Sequence, residues 1–287
     1  MKNLFRKLLK PIIQIEEESI EFKVGFWKGL WAILLWQFLT VTFSLVGNSI
    51  LGFDFSGKTY TLMIIFDIIS IPLISLILIN TFGKLTWRKN TFKKFNKKDF
   101  LYLALFIVVF RLLFDAFIFP ILNLIPQGDL LNSVEELVEN NTLYFILSAC
   151  IVAPIIEEVI CRGIVMGGLL KKYSPKVSIL LSAFLFAAAH GNIHQGVNAF
   201  ILGALFGYIY YKTRSIYLTI FCHFVNNTIA FIAFVPETIP GIIINIFVSV
   251  AISIPLIILI KKKLHFNYQE NFVSTLPDKN IYVYRDL

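Results

Sequence analysis

The sequence predicts an all-α, polytopic membrane protein in which about eight transmembrane helices surround an intramembrane polar site. Three observations predict this fold class. Only 15% of the 287 residues are charged, whereas roughly a quarter are charged in a soluble domain. The mean hydropathy is +0.76, and the apolar residues fall into runs long enough to cross a bilayer. Basic residues concentrate in alternate loops between those runs.

The apolar runs define the spans and the domain organisation. A helix that crosses the hydrocarbon core needs about 20 mostly apolar residues. Residues 25–263 form one predicted transmembrane domain, between a cytoplasmic or interfacial segment, 1–24, and a cytoplasmic tail, 264–287. The candidate spans are Phe26–Val46, Tyr60–Phe82, Phe100–Leu124, Thr142–Leu170, Val177–His190, Gln195–Tyr211, Ile216–Val235 and Ile239–Ile260.

The basic residues predict the orientation in the membrane. They cluster near the N-terminus, in the loop 83–98, around 171–176, at 212–214 and at 261–263, whereas the intervening loops carry Lys58 and several acidic residues. This positive-inside pattern predicts that both termini are cytoplasmic. The net charge of +8 is therefore explained by topology and by contact with anionic lipids, with no role for nucleic acid. The residues Leu4, Phe5, Leu8 and Leu9 among basic neighbours predict an interfacial amphipathic segment.

Ionisable side chains at membrane depth indicate where a functional site lies, because each costs about 2.5–3.5 kcal/mol at a helix centre. Three spans contribute them. The fourth contains Glu157, Glu158 and Arg162, the fifth ends at His190, and the seventh contains His223 and Asn227. With a rise of 1.5 Å per residue, these groups lie about 14–21 Å from the basic helix ends. We therefore expect three packed helices around one polar pocket.

Helical spacing separates the roles of the paired carboxylates. Glu158 and Arg162 are four residues apart and predict a side-chain ion pair on one helix face. Glu157 is rotated by about 100° and points elsewhere. Glu157 with His190 is suited to activating a water molecule, and His223 with Asn227 to stabilising an oxyanion. Taken singly, His190 is also typical of a helix-end histidine and Asn227 of an interhelical hydrogen bond; their common depth favours the functional interpretation.

Other polar and small residues in the spans predict packing rather than chemistry. Arg111 and Asp115, also four residues apart, predict a structural ion pair. Asp67 has no partner that the sequence identifies, and His194 and His265 are assigned no role. The cysteines lie inside spans and have no metal-type spacing. Close helix approach is predicted at two pairs of glycines, Gly163 with Gly167 and Gly203 with Gly207.

Three motifs in this order resemble those of the CPBP family, which comprises the CAAX proteases and bacteriocin-processing enzymes, also called Abi proteins. They are Glu157-Glu158-xxx-Arg162, Phe186-xxx-His190 and His223-xxx-Asn227. The resemblance covers about residues 100–235. It implies an eight-helix membrane core like that of the type II CAAX prenyl endopeptidases. It also implies an intramembrane endopeptidase in which Glu157 is the water-activating base and His190, His223 and Asn227 complete the site, supported by Glu158 and Arg162.

The cofactor expected from the resemblance is open between two possibilities. Family members are named metalloproteases, yet the site is also interpreted as a metal-free glutamate protease. We expect no metal; if zinc is bound, its ligands are Glu157, His190 and His223, a set of two nitrogens and one oxygen that suits zinc. The sequence contains no HExxH motif, and it identifies no second-shell acceptor for either histidine.

Three functional hypotheses follow from the sequence. The favoured one is endopeptidase action on a membrane-associated peptide or lipid-anchored protein, in a bacterial cell membrane, as the composition of an AT-rich genome suggests. The second is a non-proteolytic membrane partner, such as a bacteriocin immunity factor or a regulator of another membrane protein. The third is a transporter whose buried charges line a pathway, against which the sequence shows no internal repeat. Because bacteria do not generally prenylate proteins, a CAAX substrate is not expected.

Overall fold

The computed structural model describes residues 10–17, 19–51, 57–86, 95–125, 142–233, 236 and 238–263. Within these residues the chain forms nine helices and one short antiparallel sheet. The strands are β1 (Ile20–Phe22) and β2 (Gly83–Leu85). The helices are α1 (Lys10–Glu16), α2 (Phe26–Leu51), α3 (Gly57–Phe82), α4 (Lys97–Leu122), α5 (Thr142–Leu169), α6 (Pro175–Ala188), α7 (Ile193–Thr213), α8 (Ile216–Ile232) and α9 (Ile239–Lys263).

The predicted fold class is confirmed: the protein is an all-α, polytopic membrane protein. Each of the eight predicted spans corresponds to one helix, α2 to α9. By length and composition, five of the described helices can cross a membrane, namely α2, α3, α4, α5 and α9. The helices α6 and α8 are apolar but shorter. Both carry a histidine of the predicted site.

Helices α4 and α5 contain wide, π-helical turns at the places where they carry charged residues. In α4 the wide turn is Phe114–Ile118, just before Pro120. In α5 one wide turn, Ser148–Val152, precedes Pro154 and a second covers Val159–Met166. A proline lacks the amide hydrogen and its ring clashes with the carbonyl one turn earlier, so a widened turn relieves the clash before each proline. Such turns are frequent at functional sites.

The later residues of the predicted segment 1–24, from Lys10 onward, fold back onto the membrane body. The side chains of Leu4, Phe5, Leu8 and Leu9 lie outside the described residues, and the domain boundaries at 24 and 264 stay predictions. Helix α1, β1 and the following residues are described, and Ile12, Ile15, Phe22 and Val24 are buried in the same core as α5. Strand β1 pairs with β2, with Glu21 opposite Lys84. Helix α1 and the residues that follow it therefore brace α5 and α8, two of the helices that carry the motifs.

Helix α1 is also joined to α8 by a carboxylate. Glu16 lies at the end of α1, and its two oxygens accept hydrogen bonds from the Ser215 hydroxyl and the Ile216 amide, each at 2.6 Å. The Ile216 amide is the first of α8, and the first amides of a helix have no partner within the helix. An anion is stabilising there. Glu16 thus caps the helix that carries His223 and Asn227.

Small residues allow α6 and α7 to pack closely beside α5. A Cβ atom added to Gly203 of α7 would lie 3.0 Å from the Ala183 backbone on α6 and 3.2 Å from the Phe186 ring. The predicted close approach at Gly203 and Gly207 is therefore confirmed. At Gly163 of α5 the close neighbours are Ile15 of α1 and Ile216 of α8. The Ser182 hydroxyl of α6 donates to the Cys161 carbonyl in the wide turn of α5.

Candidate active site

The centre of the site is an ion pair on α5. The Arg162 Nη1 atom lies 3.0 Å from the Glu158 Oε1 atom, and both side chains are fully buried. The pair predicted from the spacing is therefore present. A second guanidinium nitrogen, Nη2, donates to the Gly203 carbonyl of α7 at 3.0 Å. The absence of a side chain at Gly203 lets its backbone come close enough to accept this bond.

Two aromatic rings enclose the guanidinium group. The Arg162 Cζ atom lies 4.9 Å from the Phe186 ring centroid and 5.6 Å from the Phe206 centroid. Both rings are buried, on α6 and α7 respectively. Because the face of an aromatic ring attracts a cation, the rings compensate in part for the water that Arg162 has lost.

The His223 ring joins the two glutamates of α5. Its Nδ1 atom lies 2.9 Å from Glu158 Oε1, the same oxygen that binds Arg162. A carboxylate paired with a guanidinium group accepts hydrogen bonds, so Nδ1 is the donor. The Nε2 atom lies 3.7 Å from Glu157 Oε2. Glu158 therefore fixes the tautomer and orientation of His223 and directs its other nitrogen toward Glu157.

The two adjacent carboxylates lie in different surroundings. The Glu158 side chain is fully buried, whereas 17% of the Glu157 side chain is exposed. Glu157 forms no ion pair with an arginine or lysine within the described residues; its close ionisable neighbour is His223. The helical spacing predicted this difference in surroundings, and the roles assigned to the two carboxylates stay predictions. A partly accessible carboxylate without a neutralising cation is the one that can meet a reactant.

His190 lies at the end of α6, at the border of the site. Its Nδ1 atom donates to the Phe186 carbonyl at 2.9 Å, and its ring meets the Phe186 ring edge to face with centroids 4.9 Å apart. Helix α6 ends just before, and Gly191 follows with a φ of +69°, a conformation that glycine adopts readily. His190 is half-buried and interacts electrostatically with Glu157. Among the described residues no hydrogen bond is formed by the Nε2 atom of His190.

Asn227 lies one turn beyond His223 on α8. Its Nδ2 atom donates to the Ala149 carbonyl in the first wide turn of α5 at 2.8 Å, and its Oδ1 atom accepts a hydrogen bond from Asn226. Among the described residues no hydrogen bond joins Asn227 to Glu157 or to either histidine. The side chain thus forms an interhelical bond, and its role as an oxyanion donor stays a prediction. One hydrogen of its amide is available for that role.

The sequence did not identify several groups that shape the site. Phe206 has no motif spacing, and its packing against Arg162 and against the His223 ring, with centroids 4.9 Å apart, depends on how α7 meets α8. Phe186 belongs to the second motif, but only the fold shows that it contacts Arg162 and both histidines. From the spacing Glu158 was expected to bind Arg162 alone, whereas in the structure it binds both Arg162 and His223.

The fit of these side chains to a metal ion is incomplete. Both histidines have the second-shell acceptors that the sequence did not identify: Glu158 for His223 and the Phe186 carbonyl for His190. This arrangement orients a histidine equally well for metal binding or for proton transfer. However, the described residues contain no group of three histidine, cysteine or acidic side chains placed to hold a metal ion.

One family of known proteins is similar to the part of the chain that carries this site. Residues 139–229 match the family described as "Type II CAAX prenyl endopeptidase Rce1-like", which includes all three motifs. The chain is 32% identical over 83 residues to the protein of Bacillus subtilis (strain 168) named "Putative membrane peptidase YdiL". That similarity covers 29% of this chain and 34% of the relative, so it spans about a third of the relative's length. No solved structure matches the chain.

The matched region coincides with the part of the fold that builds the site. It contains α5, α6, α7 and almost all of α8, and these helices supply Glu157, Glu158, Arg162, His190 and His223. The resemblance inferred from the motifs is thereby confirmed. Over residues 139–229 the chain is similar to the type II CAAX prenyl endopeptidases, and over 83 residues to a protein named as a putative membrane peptidase, which together support the resemblance to the CPBP family.

Proposed function

We propose that the protein is an intramembrane endopeptidase in which Glu157 activates the water molecule that hydrolyses a peptide bond. The proposal rests mainly on one observation. The partly exposed Glu157 carboxylate lies 3.7 Å from the Nε2 atom of His223, and Glu158 holds the opposite nitrogen of that ring. A separation of 3.7 Å is long for a direct hydrogen bond and allows both groups to contact one water molecule.

The proposed reaction needs only groups of this chain and water. Glu157 accepts a proton from the water molecule while the oxygen atom of that water molecule attacks the carbonyl carbon of the substrate. His190, at the border of the site, helps Glu157 to activate the water molecule. The oxyanion that forms is stabilised by Asn227 and by the imidazolium form of His223, in which Nδ1 donates to Glu158 and Nε2 donates to the oxyanion. The proton held by Glu157 is then transferred to the leaving amine as the carbon–nitrogen bond breaks. Glu158 and Arg162 do not contact the reacting atoms; they position His223.

The proposed substrate is a membrane-associated peptide or a lipid-anchored protein with an extended, cytoplasm-facing stretch. Hydrolysis requires access to the carbonyl, and an intact transmembrane helix holds its carbonyls in internal hydrogen bonds. The basic residues at the ends of the motif helices, among them Lys171, Lys176 and Lys212, favour entry from the cytoplasmic side, since such a rim attracts anionic lipids and acidic peptide segments.

The proposal is tested by comparing cells that carry the wild type with cells that carry Glu157→Gln. We expect peptides in the membrane and secreted fractions that disappear in the variant, with normal abundance of the protein itself. Loss of a general base lowers the rate by about 10²- to 10⁴-fold. If the peptide fractions are unchanged and cells with Glu157→Gln keep the phenotype of the wild type, the result instead supports a non-proteolytic membrane partner.

A second experiment determines the side of entry. The purified protein is reconstituted into vesicles of known orientation, and candidate peptides are offered to one face at a time. Cleavage should occur from the face that corresponds to the loop 83–98. Cleavage confined to the opposite face would contradict the proposed entry path while leaving the role of Glu157 intact.

A further inference from the structure

The surface at the start of α2 contains a basic cavity outside the candidate active site. Its volume is about 480 Å³, and it is lined by Lys23, Lys28, Lys171 and Lys172, together with Tyr173 and the backbone around Gly25. One of the four lysines, Lys171, is paired with Glu21 at 3.2 Å. Within the described residues the other three have no acidic partner. The cavity therefore holds a net positive charge.

The backbone adds to this positive charge. Helix α2 begins at Phe26, and the amides at the start of a helix carry partial positive charge. Gly25 lies directly before it, and a Cβ atom added there would lie 3.0 Å from the Lys172 Nζ atom. The Lys172 ammonium group therefore lies close to Gly25, directly before the first amides of α2. A cation is unfavourable at the start of a helix, whereas an anion is stabilising there.

A second, apolar cavity continues from the first along the surface of α2. Its volume is about 720 Å³, and it shares Lys23 and Lys28 with the basic cavity. From there it is lined by Trp31, Leu34, Leu35 and Phe38 of α2 and by the end of α3. Trp31 and Phe38 are exposed by 67% and 66%, so the groove opens on the face of α2 that the lipid would cover.

The order of side chains along α2 matches the layers of one leaflet. Lys23 comes first, then Trp27, Lys28 and Trp31, then mostly aliphatic and aromatic residues as far as Phe38. Tryptophan is enriched at the level of the lipid headgroups. The ten helical steps from Lys28 to Phe38 span about 15 Å, which is half of a hydrocarbon core of roughly 30 Å.

We propose that these two cavities together bind one anionic phospholipid of the predicted cytoplasmic leaflet. The phosphate group lies among Lys23, Lys28 and Lys172 at the start of α2, and one acyl chain lies in the apolar groove toward Phe38. A neutral lipid would leave the basic cavity uncompensated, and a soluble anion would leave the groove unfilled. This site is distinct from the candidate active site and does not depend on the proposed function.

The test is native mass spectrometry of the purified full-length chain titrated with phosphatidylglycerol or phosphatidylcholine. We expect one phosphatidylglycerol molecule to be retained in preference to phosphatidylcholine. The triple variant Lys23→Gln, Lys28→Gln, Lys172→Gln should bind it about 100-fold more weakly, since three lysines near an anionic group are lost. Each single variant should bind about fivefold more weakly, which keeps the test available if the triple variant does not fold.

The matched control removes the same charge elsewhere on the same side. The variant Lys97→Gln, Lys98→Gln, Lys176→Gln should bind phosphatidylglycerol as the wild type does. Equal losses in the two triple variants would show attraction by overall charge and overturn the proposal, as would equal binding of the two lipids.

A second arm separates a lipid from a soluble anion. Leu34→Gln makes the groove polar while all lysines remain, and we expect about tenfold weaker binding. Inorganic phosphate in large excess should not displace the bound lipid. Displacement by inorganic phosphate, with no effect of Leu34→Gln, would indicate an anion site and overturn the assignment of a phospholipid.

Discussion

Two ion pairs with the same spacing lie inside the membrane-spanning helices, and only one of them belongs to the candidate active site. In α4 the Arg111 side chain binds Asp115 through two contacts, at 2.6 and 2.9 Å. In α5 Arg162 binds Glu158 at 3.0 Å. Both pairs are buried, and both adjoin a wide turn close to a proline in the same helix.

The difference lies in what else the carboxylate binds. Within the described residues the Asp115 carboxylate contacts no other charged side chain, and two nitrogens of Arg111 contact it. Glu158 divides one oxygen between Arg162 and His223, and through His223 it reaches Glu157. A buried ion pair by itself is therefore weak evidence for function. A buried pair that orients a histidine toward a partly exposed carboxylate is much stronger evidence.

The largest effect expected is that of Glu158→Gln. The substitution leaves Arg162 buried without a countercharge, which costs about 3–5 kcal/mol, and it weakens the acceptor of His223. We expect a large fall in the thermal midpoint of the purified protein and loss of peptidase activity. Glu157→Gln breaks no such pair and should leave the thermal midpoint nearly unchanged.

A double variant separates the two consequences. Glu158→Leu with Arg162→Leu removes both charges, and replacing a buried pair by apolar residues is often neutral for stability. Thermal stability should recover, whereas activity should not, because His223 still lacks its acceptor. Recovery of activity along with stability would show that Glu158 acts only through folding.

The second prediction applies the same change to the other pair. Asp115→Asn leaves Arg111 without its countercharge, and we expect destabilisation of about 3 kcal/mol, at the low end for a buried pair because the Asp115 side chain is 10% exposed. The activity of the molecules that remain folded should match the wild type. Activity per folded molecule is measured after size-exclusion chromatography below the thermal midpoint. A fall of that activity comparable to the fall in Glu158→Gln would remove the distinction between the two pairs.

Much of the site could be predicted from the sequence because helical geometry is local. The pairing of Glu158 with Arg162 and the separate direction of Glu157 follow from positions on one helix. The distance to the basic helix ends predicts a similar depth for His190 and His223, and in the fold both rings contact the Phe186 ring. Close packing at Gly203 was likewise predictable, since small residues recur where membrane helices approach.

Contacts between helices could not be predicted in the same way. Phe206 lies under Arg162 and beside His223 only because α7 packs between α6 and α8, and the sequence contains no spacing that encodes this. The N-terminal brace is similar: Glu16 meets Ser215 across about 200 positions of the chain. The wide turns were also missed, although Pro120 and Pro154 were visible, since a proline in a helix can kink it instead.

A smaller effect on stability is expected from changing the contact between Glu16 and the start of α8. Glu16→Gln removes a charged acceptor from the start of α8, where hydrogen bonds to a charged group contribute about 1.5–3 kcal/mol. We expect a moderate fall in the thermal midpoint with activity per folded molecule near normal. Glu17→Gln, the adjacent residue with the same change of charge, is the control and should change neither. A larger loss of activity than of stability would show that α1 positions the site as well as stabilising it.

The smallest expected effect is that of metal removal. In the proposed reaction Glu157 takes the proton from water, and no step uses a metal ion. The purified enzyme, treated with a chelator and then dialysed, should retain its activity and contain no stoichiometric zinc. The Glu157→Gln protein, treated alike, gives the background rate. If chelation abolishes cleavage and zinc restores it, with stoichiometric zinc in the restored enzyme, then Glu157, His190 and His223 are metal ligands. The Nδ1 acceptors described above, Glu158 and the Phe186 carbonyl, would then be the second shell that orients them.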